Sequence, residues 1–181
     1  MRQSYYRMVF NISDDRILFI DETGINLHIN PHYGYSPAGL TATISEPANK
    51  GVNISVLVAI ALTGVVHYMI VDEAIDGELF RDFMTQLWRM NSNLSNVYVM
   101  DNARIHKSRV VSAYIQESNM RAEFLPPYSP QLNPIEEYFS HFENLIRHRR
   151  SQSTTRQKLK EIATAILTND KEFSMAGFLG I

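Results

Sequence analysis

The chain has 181 residues, 45% of them hydrophobic, a formal net charge of −2 and no cysteine. That length suits one domain with a sizeable core, and the lack of cysteine excludes disulfides, thiol catalysis and thiolate-bound zinc, so any metal must sit on oxygen or imidazole. No apolar run reaches the roughly 18 residues of a membrane span, and "MRQSYYRMVF" has neither the long apolar region nor the cleavage site of a signal peptide, so the expectation is a soluble, intracellular protein without a membrane partner.

In chain order, "ILFID" (17 to 21) is a short β-rich run that ends in an acid. The stretch from Asn26 to Lys50, rich in Gly, Pro and Asn, reads as a loop with one short strand near "YGYSP". "VNISVLVAIAL" (52 to 62) and "VVHYMIV" (65 to 71) then read as a hairpin joined through Thr63-Gly64. In "DGELFRDFMTQLWRM" (76 to 90) the period changes to that of a helix, with Asp76 as N-cap and Leu79, Phe83, Leu87 and Met90 as the apolar stripe. Trp88 reads as core, and Met69, Met84 and Met90 lie on apolar faces. "VYVMD" (97 to 101) is a second buried-type strand ending in an acid, followed by a helix over 108 to 118 and a short strand "AEFL" (122 to 125). Helices over 133 to 150 and 154 to 168 follow, the first entered through the prolines of "LPPYSPQLNP", which restrict the backbone route into it. Strands joined by short links pair antiparallel and strands separated by helices pair parallel, so the expected class is α/β, a mixed five-stranded sheet flanked by helices.

Two strands thus end in aspartate, Asp21 and Asp101, and the helix after the prolines opens with Glu136 and Glu137. An acid at a strand end also serves as a turn-former or helix cap, so only the combination carries weight. Three converging carboxylates repel unless a divalent cation lies among them, and Mg²⁺ or Mn²⁺ prefers such oxygen ligands. Two such ions would serve phosphodiester cleavage or strand transfer. On a helical wheel of about 100° per residue, Ile135, Phe139, Phe142 and Ile146 form one stripe, with Glu136 about 90° from its centre and Glu137 nearly opposite. Glu136 is therefore the expected ligand and Glu137 a helix-start acid favoured by the macrodipole. Glu22 would point to the other face if its strand continued that far. The near-neutral sum of charges hides a basic run, Arg147, Arg149, Arg150, Arg156, Lys158 and Lys160, and a smaller cluster of Arg104, Lys107 and Arg109. Each is either a solvated helix face or a track for a polyanion.

"FIDETG", "VMDNARIHKS" and "LPPYSPQLNPIEEYF", with 34 residues between Asp101 and Glu136, resemble in order and spacing the three motifs of the DDE catalytic domain of Tc1/mariner and IS630-like transposases. The resemblance runs from about residue 14 to 150, with "FSMAGF" similar to the end of such domains. It implies an RNase H-like fold and a single catalytic domain over 1–181, with the family's N-terminal helix-turn-helix region absent from this chain. It also implies Asp21, Asp101 and Glu136 as catalytic and metal-binding residues, two Mg²⁺ or Mn²⁺ ions, and cleavage and strand transfer on double-stranded DNA, at transposon ends and target, by a homodimer or larger assembly. Asn102 and His106 belong to the second motif, and with Lys107, Arg147, Arg149 and Arg150 they are candidate DNA contacts, His106 alternatively orienting a water or packing at a helix start; Asn133 is either a helix cap or a functional polar group. In "YGYSPAG" Tyr35 and Ala38 stand where many members carry Trp and a basic residue. The alternative is a domesticated or decayed non-catalytic module that kept the fold.

Overall fold

A computed structural model describes residues 12, 16–26, 39, 53–91, 95–126, 132–150 and 154–170. "YGYSPAG" apart from Gly39, residues 127–131 of the proline lead-in, and "FSMAGF" lie outside the described residues.

Five strands form one sheet in the order β3-β2-β1-β4-β5. They are β1 (Ile17–Asn26), β2 (Asn53–Ala61), β3 (Gly64–Val71), β4 (Val97–Met100) and β5 (Arg121–Phe124). β1–β2 and β2–β3 are antiparallel, while β1–β4 and β4–β5 are parallel. This is the RNase H-like arrangement that the motifs imply. The hairpin turn falls on Leu62–Thr63, one residue earlier than expected, because Ala61 pairs with Gly64, whose φ of 137° suits a residue without Cβ. β1 also runs five residues past Asp21. β2 pairs with it as far as Asn26, but β4 leaves it after the pair Ile20–Met100. From Asp21 onward β1 has a strand neighbour on one edge only, and this notch at the end of β4 is where the site lies.

Helices α1 (Gly77–Asn91) and α2 (Arg109–Glu117) cover one face, and α3 (Ile135–Arg149) and α4 (Arg156–Asn169) the other. Leu18, Ile20, Tyr98 and Met100 pack with Phe80, Phe83, Met84 and Leu87 of α1, whereas Ile17, Phe19, Val97 and Val99 pack with Ile135, Phe139, Phe142 and Ile146 of α3. Both sheet faces are covered, which is why the strands read as nearly continuous apolar runs. The Asp76 carboxylate caps α1, accepting from the N–H groups of Glu78 (3.0 Å) and Leu79 (2.9 Å). The buried stripe of α1 is Phe80, Phe83, Met84 and Leu87 rather than the expected set, and Met90, in the last turn, is 62% exposed. Leu79 and Phe80 both lie one turn from Phe83, so periodicity alone leaves the centre of the stripe ambiguous by one residue.

α1 and α2 start against each other. A Cβ on Gly77 would stand 2.6 Å from Ser108 Oγ, the side chain that caps α2. Gly77→Ala should therefore destabilise the fold by about 1–3 kcal/mol through overpacking. In a Ser108→Gly background, which removes the clashing atoms, the same change should cost measurably less in urea unfolding.

Candidate active site at the β1–β4 notch

Asp21 is only 8% exposed, and hydrogen bonds hold both of its carboxylate oxygens. Oδ1 accepts from the backbone N–H of Glu22 (2.9 Å) and Oδ2 from Nδ2 of Asn133 (3.0 Å). Asn133 is itself buried, and its side chain is not the cap of α3; its carbonyl accepts from the N–H of Glu136 (3.2 Å). The start of α3 is thus tied to Asp21 by a side chain, three residues before Glu136. Asp101 follows β4 directly, and its Oδ1 accepts from the N–H of Ala103 (2.8 Å).

On the other face of β1, Glu22 reaches His106. The imidazole is wholly buried, tilted against Phe80 with centroids 4.4 Å apart. Its Nε2 is 3.0 Å from Glu22 Oε2, and its Nδ1 is 2.7 Å from Asp101 Oδ1. The second contact lies off the hydrogen-bonding axis of Nδ1, so it is an electrostatic contact rather than a formed hydrogen bond. Among the described residues, ligand atoms of Asp21, Glu22 and His106 lie within 4.8 Å of one another. Asp101 and Glu136 are not in that set. Glu136 is nevertheless within electrostatic reach of Asp101. The flank of α3 that carries it faces β1, because Glu143, seven residues on, accepts from Thr23 Oγ1 (3.2 Å).

Other expected contacts are placed differently. His106, a candidate DNA contact, has no exposed surface. The Asn102 side chain joins the β4 end to the carbonyl of Leu125 and accepts from Lys107 Nζ, which also lies 4.8 Å from the centre of the Phe124 ring. Arg147 donates to Asn144 Oδ1 (2.5 Å), and Arg149 is exposed. Of the basic run, Arg156 and Lys160 pair with Asp72, and Lys158 pairs with Glu161. Glu143 was missed in the sequence, though its seven-residue spacing from Glu136 was a usable signal.

The family described as DDE superfamily endonuclease matches residues 16–160, which include every residue of this notch. The chain belongs to that family. No curated protein matches it by sequence. Among solved structures, the Mos1 mariner paired-end complex with Mn is 20% identical, with a TM-score of 0.73 over 97% of this chain and 55% of that one. The Mos1 strand transfer complex gives 21%, 0.71, 97% and 53%, and the catalytic domain of Mos1 mariner transposase 18%, 0.64, 97% and 79%. At such identities the likeness establishes the fold. The chain spans about half the length of the Mos1 chains in those DNA complexes.

The notch of this DDE-family domain is electrostatically frustrated. Burial first, then the charges of Glu22 and Asp101, push the Asp21 carboxyl up to about 7, against the lowering effects of the Glu22 N–H and His106. Burial, then Asp101 and Glu143, also raise Glu136. For His106 burial opposes the charged form, but Glu22, Asp101 and Asp21 outweigh it and raise the pKa. An acid whose pKa is higher folded than unfolded contributes stability below its unfolded value, near 3.8 for Asp21, and loses it as pH rises through about 7. His106, also raised, acts in the same direction. In EDTA, calorimetry should show the melting temperature falling between pH 5 and pH 8. Asp21→Asn should flatten that fall and stabilise the chain at pH 8 by a few kcal/mol at most, at about 1.36 kcal/mol per pKa unit.

Proposed function

We propose that this chain is the catalytic domain of a transposase that cleaves double-stranded DNA at transposon ends and joins them to a target. The observation that carries the reading is that Asp21, on β1 just past its last pair with β4, and Asp101, just past the end of β4, feel each other's charge, with Glu136 electrostatically coupled to Asp101. The donor set fits a divalent cation. It is all carboxylate oxygen, and among the described residues no Lys or Arg pairs with any of the three. Burial first, then neighbouring carboxylates, raise the pKa values of Asp21 and Glu136. Mos1 structures with Mg and with Mn add support.

Asp21, Asp101 and Glu136 would hold Mg²⁺ or Mn²⁺, two ions as the family resemblance implies. Such ions, when bound, activate the attacking oxygen and stabilise the leaving one. The protein's own contribution is positional. The Glu22 N–H and Asn133 fix the direction of the Asp21 carboxylate, the Ala103 N–H fixes that of Asp101, and the Asn133 link sets the approach of the α3 start that carries Glu136. Joining two ends calls for at least two copies on the DNA.

The test is nicking of supercoiled duplex DNA by the purified chain with Mn²⁺. Parent protein should nick. Asp101→Ala should lose on the order of 100-fold or more, since a catalytic ion supplies several kcal/mol of charge stabilisation and about 1.4 kcal/mol is tenfold. No nicking by the parent would favour the non-catalytic module instead.

A net-acidic chain must present its cations locally to hold a polyanion. Arg147 and Arg149 in the last turn of α3 and Arg150 at its C-cap are the proposed backbone contacts, at the far end of the helix that carries Glu136. Each phosphate neutralised contributes about −0.9 to the slope of log affinity against log salt. Replacing all three arginines with alanine should reduce that slope by up to about three units with little change in folding. Fluorescence anisotropy on duplex DNA at graded salt reads this directly, and an unchanged slope would make the run a plain solvated face.

A further inference from the structure

Glu22 is linked to both aspartates of the notch, to Asp21 directly and to Asp101 through His106. Its backbone N–H donates to Asp21 Oδ1 (2.9 Å), while its carboxylate meets His106 Nε2 (3.0 Å), and Nδ1 of the same ring lies against Asp101 Oδ1 (2.7 Å). The ring has little freedom to turn, since it is wholly buried and lies against Phe80. Asp101 needs such support. It is past the last pair of β4 with β1, its side chain is 45% exposed, and its remaining tether is the Ala103 N–H. From this we propose that Glu22 and His106 are positioning residues. Glu22 orients the imidazole, and the imidazole holds Oδ1 of Asp101 so that Oδ2 is presented to the cation.

The inference rests on the metal-site reading given above. It assigns Glu22 and His106 a supporting place rather than a ligating one. Ligand atoms of Asp21, Glu22 and His106 are close enough together to suggest a cation among them. Nε2, however, is already hydrogen-bonded to the Glu22 carboxylate and Nδ1 lies 2.7 Å from Asp101 Oδ1, so the ring is engaged between two carboxylates. Imidazole bridging between carboxylates is instead a way to fix a ligand's direction, and loss of such outer support typically costs 10–100-fold in metal affinity or activity.

Glu22 is the residue to change, because its side chain is 29% exposed and its truncation opens to solvent, whereas truncating the buried His106 would leave a cavity. Mn²⁺ affinity of the full chain is measured by calorimetric titration, with the melting temperature in EDTA as a control for folding. Glu22→Ala should weaken Mn²⁺ binding by about 10–100-fold while the metal-free melting temperature stays level or rises. Glu22→Gln, which keeps an acceptor for the Nε2 proton, should restore affinity to within about threefold of the parent, under 1 kcal/mol at 1.4 kcal/mol per tenfold. Parent-like affinity in Glu22→Ala would overturn the positioning role and leave the metal site standing. Equal loss in Glu22→Gln and Glu22→Ala would overturn it in favour of direct ligation by Glu22. A parent that binds no Mn²⁺ would remove the metal-site reading itself, and this inference with it.

Discussion

Side chains alternate along a strand, so the register of β1 against β4 decides where every charged group of the notch can go. With Ile20 opposite Met100 as the last pair, Asp21 leaves β1 on the α3 face, where it meets Asn133, and Glu22 leaves on the α1–α2 face, where it meets His106. Asp101 lies one residue past the end of β4 and is felt on both sides, by His106 at contact distance and by Glu136 through its charge. A slip of one residue would exchange the faces of Asp21 and Glu22. What prevents it is apolar packing on two fronts, Leu18 and Ile20 with Tyr98 and Met100 on one, Ile17 and Phe19 with Val97 and Val99 on the other. The core positions the acids.

The acids themselves work against the fold. Burial and the gathering of carboxylates raise Asp21 and Glu136, and among the described residues of the chain no Lys or Arg pairs with either. Its cations are directed elsewhere: Lys107 to Asn102 and the Phe124 ring, Arg156 and Lys160 to Asp72, Arg147 to Asn144. Buried His106 is the one basic group in contact with the notch among the described residues. Neutral and backbone donors fix the carboxylates in direction without cancelling their charge. Local destabilisation of this kind is tolerable where the surrounding core supplies the stability, and it is typical of functional sites.

α3 links the site to the basic end of the molecule. Its buried stripe, Ile135, Tyr138, Phe139, Phe142 and Ile146, seats it on the sheet. The flank beside that stripe meets β1 through the Glu143–Thr23 bond, while the entry to the helix is fastened by Asn133 to Asp21. Glu136 and Glu137 in the first turn and Arg147, His148 and Arg149 in the last agree with the helix dipole, so the charge gradient along α3 is compatible with its own stability.

The order of strands and helices was readable from the chain, because periods of 2 and 3.6 and the breakers between them are local properties. So were Asp21, Asp101 and Glu136 as a candidate set, from motif order and from the position of Glu136 beside the stripe of α3. Other features depended on neighbours remote in sequence. β1 continues past Asp21 because β2 keeps pairing with it after β4 has left, and nothing in "FIDETG" encodes that. The stripe of α1 settled on Phe80 and Met84 rather than Leu79 and Met90 because the sheet, not the helix, selects which of two adjacent faces is covered. Asn133 could be a cap or a site residue until Asp21, 112 positions away in sequence, was placed against its amide. Glu22 and His106, 84 positions apart, were minor candidates as separate letters, and they became one unit only where the fold buried the ring between two carboxylates. Sequence determined which groups were available and on which elements, since both are written in local pattern; which of them touch was decided by the tertiary structure, because contact depends on register and packing across the whole sheet.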